Sequence, residues 1–246
     1  MKISVIASGS NGNSCLVEDK NTSVLIDAGK SGREIESRME RLGKDIDNVD
    51  GILLTHGHHD HISGAGVISR RFNIPVYMTK QTFSEAGFKL GNIKSKVFSI
   101  DRSFKVKNFR IKPVLTSHSV SSCGFIIGKF GLFTDTGAIT KEIECSIPKL
   151  KGVLLESNHD IDMVINGPYP AFLKNWILSD EGHLSNVRAS SLIQKKGKNL
   201  SLALLGHLSG NNNTPQVALQ AYEKLVKRKI EYAVCSRGNE SGSWEL

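Results

Sequence analysis

The sequence predicts an α/β fold: a single domain over residues 1–246 in which two sheets pack together with helices outside. Three observations carry this expectation. Short apolar runs alternate with helical patterns along the whole chain, the mark of mixed α/β layering. The order of strands followed by helix occurs once in each half. No linker, low-complexity tract or short-period repeat intervenes, and a hydrophobic content of 39% allows a sizeable core.

Strands are expected at 3–6, 14–18 and 23–27, where Ile, Val and Leu dominate. Ser31-Gly32-Arg33-Glu34 has the spacing of a capping box, and Ile35, Met39 and Leu42 follow on one helical face. Gly51-Ile52-Leu53-Leu54 reads as a buried strand, followed by a helix from about 61 to 71 and a strand at 75–79. The middle third is strand-rich, at 97–100, 104–106, 109–116, 124–127 and 132–134. A helix near 140–145 and a strand at 152–155 come next. Helices are then expected at 168–178, 187–195 and 216–227, with strands at 200–205 and 230–235, the last closing the chain.

No stretch approaches the roughly 20 apolar residues of a membrane span. The start, Met1-Lys2-Ile3-Ser4-Val5-Ile6-Ala7, is too short and strand-like for a signal peptide. Cys15, Cys123, Cys145 and Cys235 are scattered, with no CxxC pair, and read as small buried thiols of a reducing compartment, so a cytoplasmic location is expected. The net charge is +8. Basic residues gather at Arg70-Arg71, between Lys89 and Lys112, at Lys149 and Lys151, at Lys195, Lys196 and Lys198, and between Lys224 and Lys229. Such a surface either attracts a polyanion through counterion release or is simply a solvated lysine-rich face. Aromatics do not interleave with these clusters, so they give no stacking platform.

The densest chemistry lies in Thr55-His56-Gly57-His58-His59-Asp60-His61, which packs four of the eight histidines into six residues beside a carboxylate. Imidazole and carboxylate are the usual ligands of Zn²⁺ and similar metals. Four donors at one strand exit exceed what a single ion takes from one loop, which suggests ligands shared between two ions. Further donors recur at strand exits. His118 ends the run from Ile111, Asp135 follows Gly131-Leu132-Phe133-Thr134, and His207 follows Leu202-Ala203-Leu204-Leu205-Gly206. Strand ends along one sheet edge converge in space.

His-x-His-x-Asp-His followed by His, Asp and His resembles the metallo-β-lactamase superfamily over essentially the whole chain. The resemblance implies a four-layer αββα sandwich with a dinuclear centre along one edge of the sheets. It implies that His56, His58 and His118 bind one metal, that Asp60, His61 and His207 bind the other, and that Asp135 bridges them. Asp27, in Leu25-Ile26-Asp27-Ala28-Gly29, matches the family's early aspartate, which supports the metal loop from behind. Taken alone, Asp27 would be a turn residue before Gly29.

The metals do not fix the substrate. The family's redox branch carries a carboxylate where this chain has His58, which favours hydrolysis. Glu156 after a strand, Gly182-His183-Leu184-Ser185 opening a helix, and His207-Leu208-Ser209 after the next strand look like the transfer-RNA 3′-processing phosphodiesterases. By that likeness His183 protonates the leaving oxygen, Glu156 orients it, and Asp60 completes the catalytic group. Taken alone, His183 would be a helix-terminus histidine bonded to backbone. A closer resemblance is to the small bacterial WalJ/YycJ/VicX group. It rests on Glu156-Ser157-Asn158-His159-Asp160, Asn166-Gly167-Pro168-Tyr169-Pro170, Leu178-Ser179-Asp180, the Gly182–Asn186 stretch, His207-Leu208-Ser209-Gly210-Asn211-Asn212, and Ala7-Ser8-Gly9-Ser10-Asn11-Gly12-Asn13. That group looks like stand-alone DNA exonucleases acting from 5′ ends. Ser119 departs from the aspartate expected after this histidine. No added domain for gripping nucleic acid is visible.

Ser8, Ser10, Asn11, Asn13 and Ser209 are candidate substrate-binding residues. The Ser/Gly/Asn-rich turn could offer backbone N–H groups to a phosphate, or could serve only as a tight turn between strands. Asn211-Asn212-Asn213 could be a polar loop capping the helix near Pro215. The expected activity is phosphodiester hydrolysis as a DNA exonuclease running from 5′ to 3′, by a metal-bridging hydroxide with a histidine general acid. The expected cofactors are two divalent ions, zinc or manganese, with iron a third option. The expected partner is nucleic acid, DNA ahead of RNA, with no membrane and no protein partner specified. Two other hydrolases compete: an RNA-processing phosphodiesterase, and a thioester or lactone hydrolase on the same metals. A nucleic-acid-binding regulatory protein with structural metals is the non-enzymatic alternative.

Overall fold

The computed structural model describes residues 1–246. The chain begins with β1 (Lys2–Ala7), β2 (Ser14–Glu18), β3 (Ser23–Ile26), α1 (Gly32–Arg41), β4 (Gly51–Leu53), α2 (His59–Ile62) and α3 (Ala65–Phe72). It continues through β5 (Val76–Thr79), α4 (Lys80–Leu90), β6 (Ser95–Phe98), β7 (Phe104–Val106), β8 (Phe109–Leu115), β9 (Cys123–Ile127) and β10 (Phe130–Phe133). Then come α5 (Lys141–Ser146), β11 (Gly152–Glu156), α6 (Ile161–Asn166), α7 (Ala171–Leu178), α8 (Asn186–Lys196), β12 (Leu202–Gly206), α9 (Pro215–Leu225), β13 (Glu231–Val234) and β14 (Gly242–Glu245). Two compact units result, Met1–Pro113 with Ser236–Leu246, and Val114–Cys235.

One sheet has the order β14-β1-β2-β3-β4-β5-β6, and the other β13-β12-β11-β10-β9-β8-β7. In the first unit β1, β2 and β3 are antiparallel neighbours, whereas β3, β4, β5 and β6 run parallel. Parallel neighbours need crossover segments, which α1, α3 and α4 supply. In the second unit β10, β11, β12 and β13 are parallel. Alternate strand residues carry the cores. Ile6, Leu16, Leu25 and Ile52 pack with Ile35 and Met39 of α1 and Ile68 of α3. Val153, Leu155, Ala203 and Leu205 pack with Ala189 and Ile193 of α8 and Tyr222 of α9. The intervening residues of these strands, such as Val5, Val17, Leu154 and Leu204, are buried too, so the strands read as continuous apolar runs.

Several local expectations change. The helix expected over 61–71 is two helices, because the chain turns at Ser63-Gly64, where Gly64 N–H donates to Ala28 C=O at 2.8 Å. Ser31 caps α1 by accepting from Glu34 N–H, but the Glu34 carboxylate completes no box and instead pairs with Arg38 at 2.7 Å. The helix expected from 168 begins at Ala171, after Pro168 and Pro170. The sequence reading missed α4, α6 and β14. Phe83 and Phe88 of α4 are exposed, so its apolar positions carry no clear stripe. The chain does not close on β13, since β14 returns to pair with β1 through Ile3 opposite Trp244. Cys145 is exposed, unlike the other three cysteines. No helix is long and apolar enough to cross a membrane.

Candidate metal centre

In the first unit the site grows from the parallel exits of β3 and β4. Asp27 N–H donates to Leu53 C=O at 2.8 Å, which sets the two exits side by side. Asp27 then turns into the left-handed region, φ 59°, and buries its carboxylate beneath the histidine loop. Oδ1 accepts from the Thr55 N–H at 2.9 Å, and Oδ2 meets the Thr55 hydroxyl at 2.9 Å and His61 Nδ1 at 2.8 Å. Burial pushes the Asp27 carboxyl upward, against the lowering effects of His61 and Thr55. Thr55 also touches His56 Nδ1 at 3.0 Å and His61 Nδ1 at 3.2 Å. The His56 ring lies 4.6 Å from that of His58 and 4.2 Å from that of His61.

Asn13 closes this half from the side. Its N–H donates to Asp60 C=O at 2.8 Å, and its amide reaches His61 Nε2 at 3.1 Å and Asp60 Oδ2 at 3.3 Å. Asn13 therefore holds donors in place, whereas the sequence suggested substrate contact. Gly29 permits the close approach, since a Cβ there would lie 1.7 Å from Asp60 O. Of the other turn residues Ser8 is buried and Ser10 and Asn11 are exposed.

In the second unit the parallel register of Phe133, Leu155 and Leu205 brings the exits of β10, β11 and β12 to one edge. Asp135, at φ 54°, and His207, at φ 57°, leave these strands in the left-handed region, as Asp27 does. Three of the five non-glycine residues with positive φ are thus site residues, and backbone strain of this kind concentrates at functional sites. Glu156, fully buried, is the hub. Its Oε1 accepts from His183 Nδ1–H at 2.7 Å and His207 Nδ1–H at 2.8 Å. Its Oε2 accepts from the N–H groups of Thr136 at 2.7 Å and Leu184 at 3.3 Å. Burial alone would raise its pKa, but His183 and His207 hold it at about 2. The sequence assigned Glu156 to His183 alone; the geometry ties it equally to His207.

The donor atoms of Asp135, Glu156, His183 and His207 all lie within 4.8 Å of one another. His118 at the exit of β8 turns Nδ1 to Gly182 C=O at 3.3 Å and Nε2 toward Asp135 Oδ1 at 3.9 Å. His207 Nε2 lies 3.6 Å from the same oxygen. With Nδ1–H of each ring given to an oxygen, each Nε2 presents a lone pair, and so does the carboxylate between them. The same holds at His61, whose Nδ1 serves Asp27 and whose Nε2 lies 3.3 Å from Asp60 Oδ2. Lone pairs converging in this way, each histidine braced by a carboxylate or carbonyl, fit a divalent cation.

His183 is the least enclosed member of its group, 14% exposed against 1% for His207. Trp176 of α7 stands edge-on to it at 5.4 Å, a contact the sequence did not suggest. Behind the site Asn213 donates to the Ser157 and Asn158 carbonyls at 2.9 Å and exchanges bonds with Asn186, so it braces β11 against α8. Thr214, not this asparagine run, caps α9, accepting from Val217 N–H. Ser209 accepts from Asn212 N–H and lies within this scaffold. His159, also buried, is pushed down to about 4 by burial, partly offset by Glu156.

Comparison with known proteins follows the same lines. Residues 7–136 match the description of the metallo-β-lactamase superfamily. The chain is 36% identical over 228 residues to exodeoxyribonuclease WalJ of Streptococcus pneumoniae serotype 2 (strain D39 / NCTC 7466), covering 88% of this chain and 85% of that protein. It is 33% identical over 241 residues to exodeoxyribonuclease YycJ of Bacillus anthracis, covering 93% and 90%. The crystal structure of the metallo-β-lactamase fold protein YhfI from Bacillus subtilis superposes with a TM-score of 0.75 at 17% identity, covering 99% and 98%. The expected fold class holds: two sheets flanked by helices, an α/β sandwich.

Proposed function

Because this chain belongs to the metallo-β-lactamase superfamily, whose members it matches as a metal-dependent hydrolase, we propose that it is a DNA exonuclease working from 5′ ends. The observation that carries this reading is the Glu156 hub, which couples a proton donor to a metal donor through one oxygen. The likeness to two exodeoxyribonucleases over most of their length supports the substrate class, and the basic balance supports a polyanion. The cytoplasm is the matching location.

His56, His58 and His118 would hold one divalent ion and Asp60, His61 and His207 a second, with Asp135 shared; zinc, manganese and iron all suit this mixed set. When bound, a metal pair supplies an activated water and neutralises the oxygens of the scissile phosphate. The protein's own residues do the rest. Glu156, ionised at neutral pH, holds His183 through Nδ1 and fixes the orientation of its ring. A proton on His183 Nε2 can then pass to the leaving alkoxide, which is too basic to depart unaided. Asn13 and Asp27 fix Asp60 and His61, and Trp176 limits water on the His183 side.

Metal-reconstituted protein incubated with 5′- and 3′-labelled DNA and RNA tests the proposal. Early release of labelled mononucleotide from the 5′ end of DNA is expected. Preference for RNA would favour the processing phosphodiesterase instead, and turnover of thioesters alone would sink the nuclease reading.

A further inference from the structure

The six-residue turn from Ser8 to Asn13 meets two cationic side chains that come from distant parts of the chain. Gly9 (φ 150°) and Gly12 (φ 147°) both adopt conformations that favour glycine. Each also leaves room that a basic side chain occupies. A Cβ on Gly9 would lie 2.6 Å from Arg237 Cγ, and a Cβ on Gly12 would lie 2.7 Å from Lys30 Cδ and Cε. Gly12 N–H donates to Gly9 C=O at 2.9 Å, so the two contacts are made on one tight loop.

Arg237 is held there deliberately by the fold. Arg38, buried in α1, donates to Ile6 C=O at 3.1 Å and to Gly238 C=O at 2.6 Å. Arg41 grips Glu240 through both carboxylate oxygens at 2.8 Å, Ser241 N–H donates to Val5 C=O at 2.9 Å, and Asn11 donates to Arg237 C=O at 3.3 Å. The charge has no answer in the chain. Arg38, Arg41, Lys44, Arg71, Lys107 and Lys196 all pair with carboxylates, but Arg237 and Lys30 pair with none. The Arg237 Nε is buried and has no hydrogen-bond partner. Burying a guanidinium nitrogen unsatisfied is costly unless an anion completes it. The far end of the turn, Asn13, bonds Asp60 and His61, so whatever the cations hold lies one loop away from the metal donors.

We propose that Arg237 and Lys30, laid across Gly9 and Gly12, form a phosphate clamp that grips a substrate phosphate next to the one being cleaved. Ser10, exposed at the tip, adds a hydroxyl to the same anion. The clamp rests on the nuclease reading for its biological ligand, though not for its chemistry. The gripped group is either the terminal 5′-phosphate or an internal diester.

The test is equilibrium binding of a fluorescein-labelled, cleavage-resistant phosphorothioate single-stranded 12-mer, with and without a 5′-phosphate, over a salt series. Arg237→Gln and Lys30→Gln keep the side-chain stems over the glycines and remove the charges. Affinity should fall roughly tenfold for each and about a hundredfold together, and the slope against log salt should shrink by about one per variant. If the 5′-phosphate preference disappears in the variants, the terminal phosphate is the ligand; equal losses on both oligonucleotides identify an internal one. Affinity within twofold of the parent protein, or a loss with an unchanged salt slope, overturns the clamp. A parent protein that binds with this Arg237 and Lys30 dependence yet cleaves no DNA would refute the nuclease reading and leave the clamp standing. A parent that cleaves DNA while both variants bind normally would do the reverse.

Discussion

Because Glu156 Oε1 serves both His183 and His207, substitutions at the carboxylate and at the acid should have different signatures. His183→Ala removes a group outside the proposed ligand set. Its cleavage of an ordinary phosphodiester should fall roughly 10²–10⁴-fold, the usual worth of general acid catalysis. Metal content should hold, and a p-nitrophenolate ester, whose leaving group needs little protonation, should suffer far less. Equal loss on both substrates would remove His183 as the acid. Glu156→Gln should instead lower metal affinity as well, by roughly 10–100-fold, because His207 loses its brace. Elemental analysis after dialysis reads this directly, and full metal retention would mean that Glu156 serves His183 alone. The histidines and aspartates were legible because metal donors are scarce residue types and here recur at strand exits. Thr55, Asn13, Trp176 and Arg237 were not. Their roles depend on which distant atoms they meet, as when Asn13 reaches across to His61.

At the scale of elements, strands announced themselves by continuous apolar runs and helices by apolar positions recurring on one face, with Ser31 marking the start of α1; Thr140, Ser185 and Thr214 prove to be caps of the same kind, each bonding an N–H three residues on. Short α6 and amphipathically weak α4 left no such stripe, and β14 carries only Trp244 as a bulky apolar residue. The network behind the site gives an element-level prediction. Asn213→Ala strips bonds from the Ser157 and Asn158 carbonyls and from Asn186 at once, all of them buried. It should cost about 2–4 kcal/mol, against about 1 kcal/mol for the cap substitution Thr214→Ala. Urea unfolding of the two variants tests the order, and a smaller loss for Asn213→Ala would make the network incidental to β11 and α8.

For the whole molecule, alternation of strands and helices was enough to read the α/β class. The return of the C-terminal segment to β1 was beyond reach, because edge pairing is set by a partner some 240 positions away. Acid sensitivity is also a property of the whole. His159 is held down to about 4 by burial, so between pH 6.5 and 4 the unfolded chain binds a proton that the folded chain refuses. Stability from this group is therefore complete above pH 6.5 and is lost as pH falls through that window. The loss between pH 7 and 5 should be about 2 kcal/mol, and His159→Gln should abolish that part of the slope. An unchanged slope in the variant would place the acid sensitivity elsewhere.

The left-handed strand exits at Asp27, Asp135 and His207 have an evolutionary consequence. Each such conformation costs an ordinary side chain about 1 kcal/mol or more. In metal-free protein, Asp135→Gly should relieve this backbone cost, so its melting temperature should equal or exceed that of the parent; a lower value would mean that Asp135 is a structural asset. Selection for thermal hardiness alone would thus erode these positions toward glycine. Aspartate and histidine at these exits are a trade of robustness for chemistry, and any laboratory programme to harden this protein should leave those three positions untouched.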